Sequence, residues 1–251
     1  MQNREHMNYD NFDEGYVPTS LGSIYYRHHA GSKKRIIFLH GLGANTKTWA
    51  KLVARMPDDF DVYLIDLLGH GNSDAPRIEY RITTQTQALR EFVSAVKYFN
   101  FSLFGNSYGG WIAAHYASQG YQLDGLVLED AAGLREYLDD ILKSGNPEEY
   151  KARLIKGVME LNGNRDYVIK SIVDSEFDSA LDSDTLSAIR VKTLVLWGEN
   201  DSIIDLKYGK LLHEKIPGSE LVVIKGAGHT PHYSAPSEVS RELCTFIGSE
   251  C

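Results

Sequence analysis

The chain has 251 residues and carries 26 basic against 34 acidic side chains, a formal charge of −8 at pH 7. That length buries one sizeable core, and the acidic balance gives no electrostatic reason for a nucleic-acid or anionic-membrane partner. No apolar run approaches the roughly 18 residues of a membrane span. Residues 1–15 carry Asp10, Asp13 and Glu14 without an apolar stretch, unlike a secretory signal, so a cytoplasmic location is expected.

In chain order, Tyr16–Thr19 and Ser23–His28 flank Ser20-Leu21-Gly22 and read as an opening antiparallel hairpin. Short apolar runs then alternate with helical patterns. Strands are expected at Arg35–Leu39, Asp61–Ile65, Phe101–Phe104, Gly125–Leu128, Thr193–Trp197 and Glu220–Ile224. Helices are expected at Thr46–Met56, Thr83–Lys97, Tyr108–Ser118, Leu206–Lys215 and Ser237–Ile247. Continuous rather than alternating strands imply a sheet covered on both faces, and strand–helix repetition implies a mostly parallel one. Residues 131–191 break the rhythm, because a parallel crossover needs only a dozen or so residues. Asn146-Pro147-Glu148-Glu149 reads there as a helix start, with Tyr150, Leu154, Val158 and Leu161 on one face. The expected organisation is an α/β core over 1–130 and 192–251, with 131–191 as a helical cap over the C-terminal sheet edge or as a peripheral decoration. Cys244 and Cys251 close the chain and are expected to be free thiols.

Chemistry concentrates at three places. Gly105-Asn106-Ser107-Tyr108-Gly109 is a G-x-S-x-G pattern between an expected strand and an expected amphipathic helix. An abrupt strand-to-helix turn strains the serine backbone and brings the residues two before and two after it together, hence glycine at both. A nucleophilic serine needs a base, an acid and an oxyanion site. Lys225-Gly226-Ala227-Gly228-His229-Thr230-Pro231-His232 offers His229, preferred for its place beside the flexible glycines, with His232 as competitor and expected surface or supporting residue. The loop after Thr193–Trp197 offers Glu199, Asp201 and Asp205; Asp201 is preferred, and Asp205 suits the cap of the next helix.

The order Ser107, Asp201, His229 and the elbow make the chain from Ser23 to Ile247 resemble the α/β-hydrolase superfamily. His40-Gly41-Leu42-Gly43 looks like that family's oxyanion loop, and residues 66–74, Asp66 to Asp74, look like its D-x-x-G-H-G-x-S-D segment. The resemblance implies an α/β-hydrolase fold: a mostly parallel central sheet, helices on both faces and a helical cap insertion. It also implies an oxyanion hole from the backbone N–H groups of Leu42 and Tyr108, and structural roles for His40 and His70. It extends to the broad capped group of esterases, lactonases, C–C hydrolases and perhydrolases.

The leading expectation is a carboxylesterase acting on a small-molecule ester through an acyl-enzyme, with no cofactor and no metal. Runners-up are a C–C hydrolase or lactonase and a low-turnover receptor that keeps the triad; a homodimer is compatible with all of them. The insertion's Leu138, Leu142, Leu154, Val158 and Phe177 suit either an apolar pocket or packing on the core, the reading taken for most, and Arg153 and Arg165 are available to a substrate carboxylate. Gly41-Leu42-Gly43-Ala44-Asn45-Thr46 imitates a dinucleotide fingerprint, but Thr46 replaces its third glycine. No H-E-x-x-H or paired-cysteine spacing suggests a metal.

Overall fold

A computed structural model describes residues 6–163, 165–175 and 179–249. Eight strands form one sheet: β1 (Asp13–Thr19), β2 (Gly22–His29), β3 (Arg35–Leu39), β4 (Asp61–Ile65), β5 (Ser102–Asn106), β6 (Gly125–Glu129), β7 (Thr193–Gly198) and β8 (Glu220–Ile224). Their order is β1-β2-β4-β3-β5-β6-β7-β8. The β1–β2 hairpin and the β2–β4 pair are antiparallel, and every later pair is parallel. This is the α/β-hydrolase fold expected from the sequence.

Alternation along the buried strands divides the core into two layers, because successive side chains point to opposite faces. Ile37, Leu39, Leu103, Leu126, Leu128, Val195 and Trp197 pack with α2 (Ile82–Ala95), α3 (Tyr108–Ser118) and α8 (Leu206–Lys215). Ile36, Phe38, Phe104, Val127, Leu194 and Leu196 face the other way, toward α1 (Ala50–Val53) and α10 (Pro236–Ile247). The insertion between β6 and β7 holds α4 (Arg135–Lys143), α5 (Pro147–Met159), α6 (Asp166–Ser175) and α7 (Ser183–Ser187). A one-turn helix, α9 (Pro231–Ser234), precedes α10.

Three expectations need correction. Thr46–Met56 is not one helix: Thr46–Trp49 is 3-10, followed by α1, with the Thr46 N–H held by Asp66 Oδ1 at 2.7 Å. Helix α3 is buried nearly all round rather than amphipathic, because it lies between the sheet, α2 and α7. Cys244 is disulfide-bonded rather than a free thiol; Cys251 and Phe177 lie outside the described residues. Among the described residues no helix is long and apolar enough to cross a membrane.

Candidate active site

Parallel pairing sends the C-terminal ends of β3, β5, β6, β7 and β8 to one edge of the sheet, the edge where open α/β sheets gather their functional loops. Ser107 follows β5 at φ 53°, ψ −114°, the only non-glycine residue of that turn with positive φ. Hydrogen bonds from Ser107 N–H to Glu129 O (2.9 Å) and from Ala132 N–H to Ser107 O (3.0 Å) over-determine the strained conformation. A Cβ at Gly105 would stand 2.2 Å from the Gly109 carbonyl oxygen, so the turn closes only with glycine there. The expected closeness of residues 105 and 109 is therefore observed.

His229 arrives from the loop after β8, and Asp201 from the loop after β7. The two loops touch at Gly198, where a Cβ would stand 2.1 Å from Gly228 O, and Asn200 N–H bonds Ala227 O at 2.8 Å. The result is a hydrogen-bonded row: Ser107 Oγ to His229 Nε2 at 2.9 Å, and His229 Nδ1 to Asp201 Oδ2 at 2.7 Å. Asp201 Oδ1 also accepts the N–H groups of Ile203 (2.8 Å) and Ile204 (3.0 Å). Burial opposes ionisation of Asp201, but the bond and charge of His229 and these N–H groups outweigh it and hold the carboxyl below its usual range. Such a row can pass a proton from hydroxyl to imidazole while the carboxylate fixes the tautomer.

The other acids of the same loop are engaged elsewhere. Glu199 accepts the Gly226 N–H at 2.9 Å, and Asp205 caps α8 through Lys207 N–H at 2.8 Å, as expected. His232 is not a surface residue. It is fully buried, bonded through Nδ1 and its own N–H to Glu129 and through Nε2 to Thr48 Oγ1 at 2.8 Å.

The loop at residues 40–44 closes the site from the β3 side. A Cβ at Gly41 would stand 3.4 Å from Ser107 Cβ, so this loop touches the serine. The backbone N–H groups of Leu42 and Tyr108 take no hydrogen bond among the described residues, the second because it opens α3. His40 fixes the loop: Nδ1 donates to Gly41 O at 2.8 Å, and Nε2 accepts the Leu67 N–H at 3.0 Å. Burial pushes its pKa down to about 4, so it is neutral at pH 7. His70, also buried, is pushed down to about 3 by burial and by nearby His40.

A cleft of about 580 Å³ opens onto Ser107 and His229. Its wall includes Tyr150, Leu154, Val158 and Leu161, the helix face expected from the sequence, together with Arg153. Leu138 is instead buried, and Leu142 is exposed. Arg165 bonds Gly69 O and Ser73 O, leaving Arg153 as the only arginine of the wall among the described residues. Asn146 starts α5 with Pro147 in its first turn, as expected, but makes no side-chain cap and donates to Glu149 instead.

Two residues went unnoticed in the sequence. Glu129 and Asp130 end a wholly apolar strand and are fully buried beside the row. Paired acids closing such a run were the available signal, since buried carboxylates are rare unless partnered.

A model of the alpha/beta hydrolase family matches residues 36–242. The chain is similar to AB hydrolase superfamily protein YisY of Bacillus subtilis (strain 168), 26% identical over 265 residues, covering 93% of this chain and 99% of the relative. It is also similar to monoacylglycerol lipase ABHD6 of Mus musculus, at 24% over 265 residues, 89% of this chain and 78% of the relative. Among solved structures, an esterase (EaEST) from Exiguobacterium antarcticum aligns with a TM-score of 0.79 at 22% identity, covering 94% of this chain and 100% of the other. At that identity the likeness is one of fold.

Proposed function

The chain belongs to the alpha/beta hydrolase family, and from that premise we propose that it is a serine carboxylesterase acting through an acyl-enzyme. The observation that carries the reading is the Ser107–His229–Asp201 row at 2.9 and 2.7 Å on the edge of a cleft. Relatives named as lipases support a hydrolase of this kind.

In the proposed cycle His229 Nε2 takes the Ser107 proton as Oγ attacks the ester carbonyl. The two unpartnered N–H groups, of Leu42 and Tyr108, face the oxygen that gains charge. Asp201 holds the Nδ1–H tautomer and balances the imidazolium. The imidazolium returns its proton to the departing alkoxide, which leaves as alcohol. Water then attacks the acyl-enzyme, giving its proton to His229; collapse frees the acid, and Ser107 Oγ regains the proton. Helices α4 to α7 act in this reading as the cap that selects the acyl or alcohol group, and Arg153 favours substrates with an anionic end.

The test is hydrolysis of p-nitrophenyl acetate with stoichiometric fluorophosphonate labelling. Ser107→Ala is expected to abolish labelling and lower kcat by about 10⁴–10⁶. Near-full turnover by that variant sinks the reading. Labelling with negligible turnover in the wild type, alongside tight ligand binding, assigns a receptor instead.

A further inference from the structure

Two carboxyl groups, rather than one, stand behind the imidazole. Asp130 follows β6 directly, at φ 45°, and is fully buried. Its Oδ1 accepts the Gly198 N–H at 2.9 Å, while Oδ2 is buried without a hydrogen-bond partner among the described residues. One oxygen of Asp130, one of Asp201 and a ring nitrogen of His229 lie within 4.8 Å of one another.

Carboxylates this close in a buried setting do not both ionise, because repulsion is strong where water is excluded. The negative charge settles where the donors are. Asp201 has three: His229 and the N–H groups of Ile203 and Ile204. Asp130 has one. Glu129, the preceding residue, adds further repulsion to an ionised Asp130. Burial, Glu129 and Asp201 together raise the Asp130 pKa far above the carboxylate range, despite the Gly198 N–H. Its unpartnered oxygen is then an O–H, and the acceptor within reach is the Asp201 carboxylate.

We propose that Asp130 is a reserve positioning residue for His229: a neutral acid hydrogen-bonded to Asp201 that ionises and takes over the imidazole Nδ1–H when the Asp201 charge is removed. The Gly198 N–H anchors Oδ1, so the free oxygen has to swing only a few ångströms at most to reach the ring. No new reagent is involved, since the proton Asp130 gives up passes to solvent as the site loses the charge of Asp201.

The proposal rests on the acyl-transfer reading, and its test separates the two. Ester turnover is measured for wild type, Asp130→Asn, Asp201→Ala and the double variant. Asp201→Ala is expected to lose about 10²-fold, less than the roughly 10⁴-fold of triads with a single acid. Adding Asp130→Asn is expected to cost about 100-fold more in that background but under about tenfold in the wild type, a coupling that independent sites do not produce. Equal factors in both backgrounds, or Asp201→Ala as inactive as Ser107→Ala, overturn it. The far-downfield proton NMR resonance of the His229 Nδ1–H gives a readout that needs no turnover. It is expected to persist in Asp201→Ala and to vanish in the double variant. Its absence from Asp201→Ala overturns the proposal even where Asp130→Asn does not fold. A wild type that hydrolyses no ester sinks the proposed function, while the resonance still decides the role of Asp130.

Discussion

At the scale of single residues, the site depends on groups held in protonation states that water would not favour. His40 and His70 are buried neutral, with pKa values pushed down to about 4 and about 3. Below an unfolded pKa of about 6.5 the unfolded chain binds protons that these rings refuse, so their stabilising contribution is complete above that pH. It drains away as pH falls toward about 4 for His40 and about 3 for His70. Each contributes a slope of about 1.4 kcal/mol per pH unit inside its window. Asp130 and Asp66, whose folded pKa values are raised by burial, act with the opposite sign, so the test has to be a difference. His70→Asn is expected to flatten the dependence of unfolding free energy on pH by about 1.4 kcal/mol per unit between pH 6 and 4.5, measured by urea titration. An unchanged slope shows that the ring is already protonated in the folded protein.

At the scale of elements, helix α5 differs from its neighbours in having no buried residue. Its Tyr150, Leu154 and Val158, with Leu161 just beyond its end, line the cleft rather than joining the core. Helical spacing alone made that face visible but not what it faces. Gly157 stands inside this helix with nothing within 4 Å of an added Cβ. Gly157→Ala is therefore expected to raise stability by about 0.5–1 kcal/mol through the lower entropy of the unfolded chain, read as a higher Tm. A lower Tm shows that the helix needs glycine for a close approach. The elbow, by contrast, was legible residue by residue. Glycines at 105 and 109 followed from the geometry of a strand turning at once into a helix, and a Cβ at Gly105 meets the Gly109 backbone.

At the scale of the whole molecule, the cleft forms where the insertion meets the sheet edge. Arg153 lines it without a hydrogen bond or ion pair among the described residues, in a chain of net charge −8. Arg153→Gln is expected to lower kcat/KM for the p-nitrophenyl hemiester of a dicarboxylic acid by about three- to tenfold, while changing p-nitrophenyl butyrate little. The difference should shrink in 1 M salt, where exposed charges are screened within about 3 Å. Equal effects on both esters remove Arg153 from substrate selection.

Composition and pattern determined the layers and the strand-to-helix setting of Ser107, because apolar runs and turn glycines are local properties of the chain. Local pattern could rank Glu199, Asp201 and Asp205, or His229 and His232, but could not separate them, since each group is flanked by similar loop residues. Tertiary structure decided between them through strand register. Pairing Gly198 with Ile224 and Asn106 with Glu129 aligns the strand ends, so that loops far apart in sequence present one imidazole to the serine and bury the other behind it. The same register brought Asp130 beside Asp201, a proximity imposed by long-range pairing against the repulsion of two acids in a dry interior, neither of which a linear pattern records.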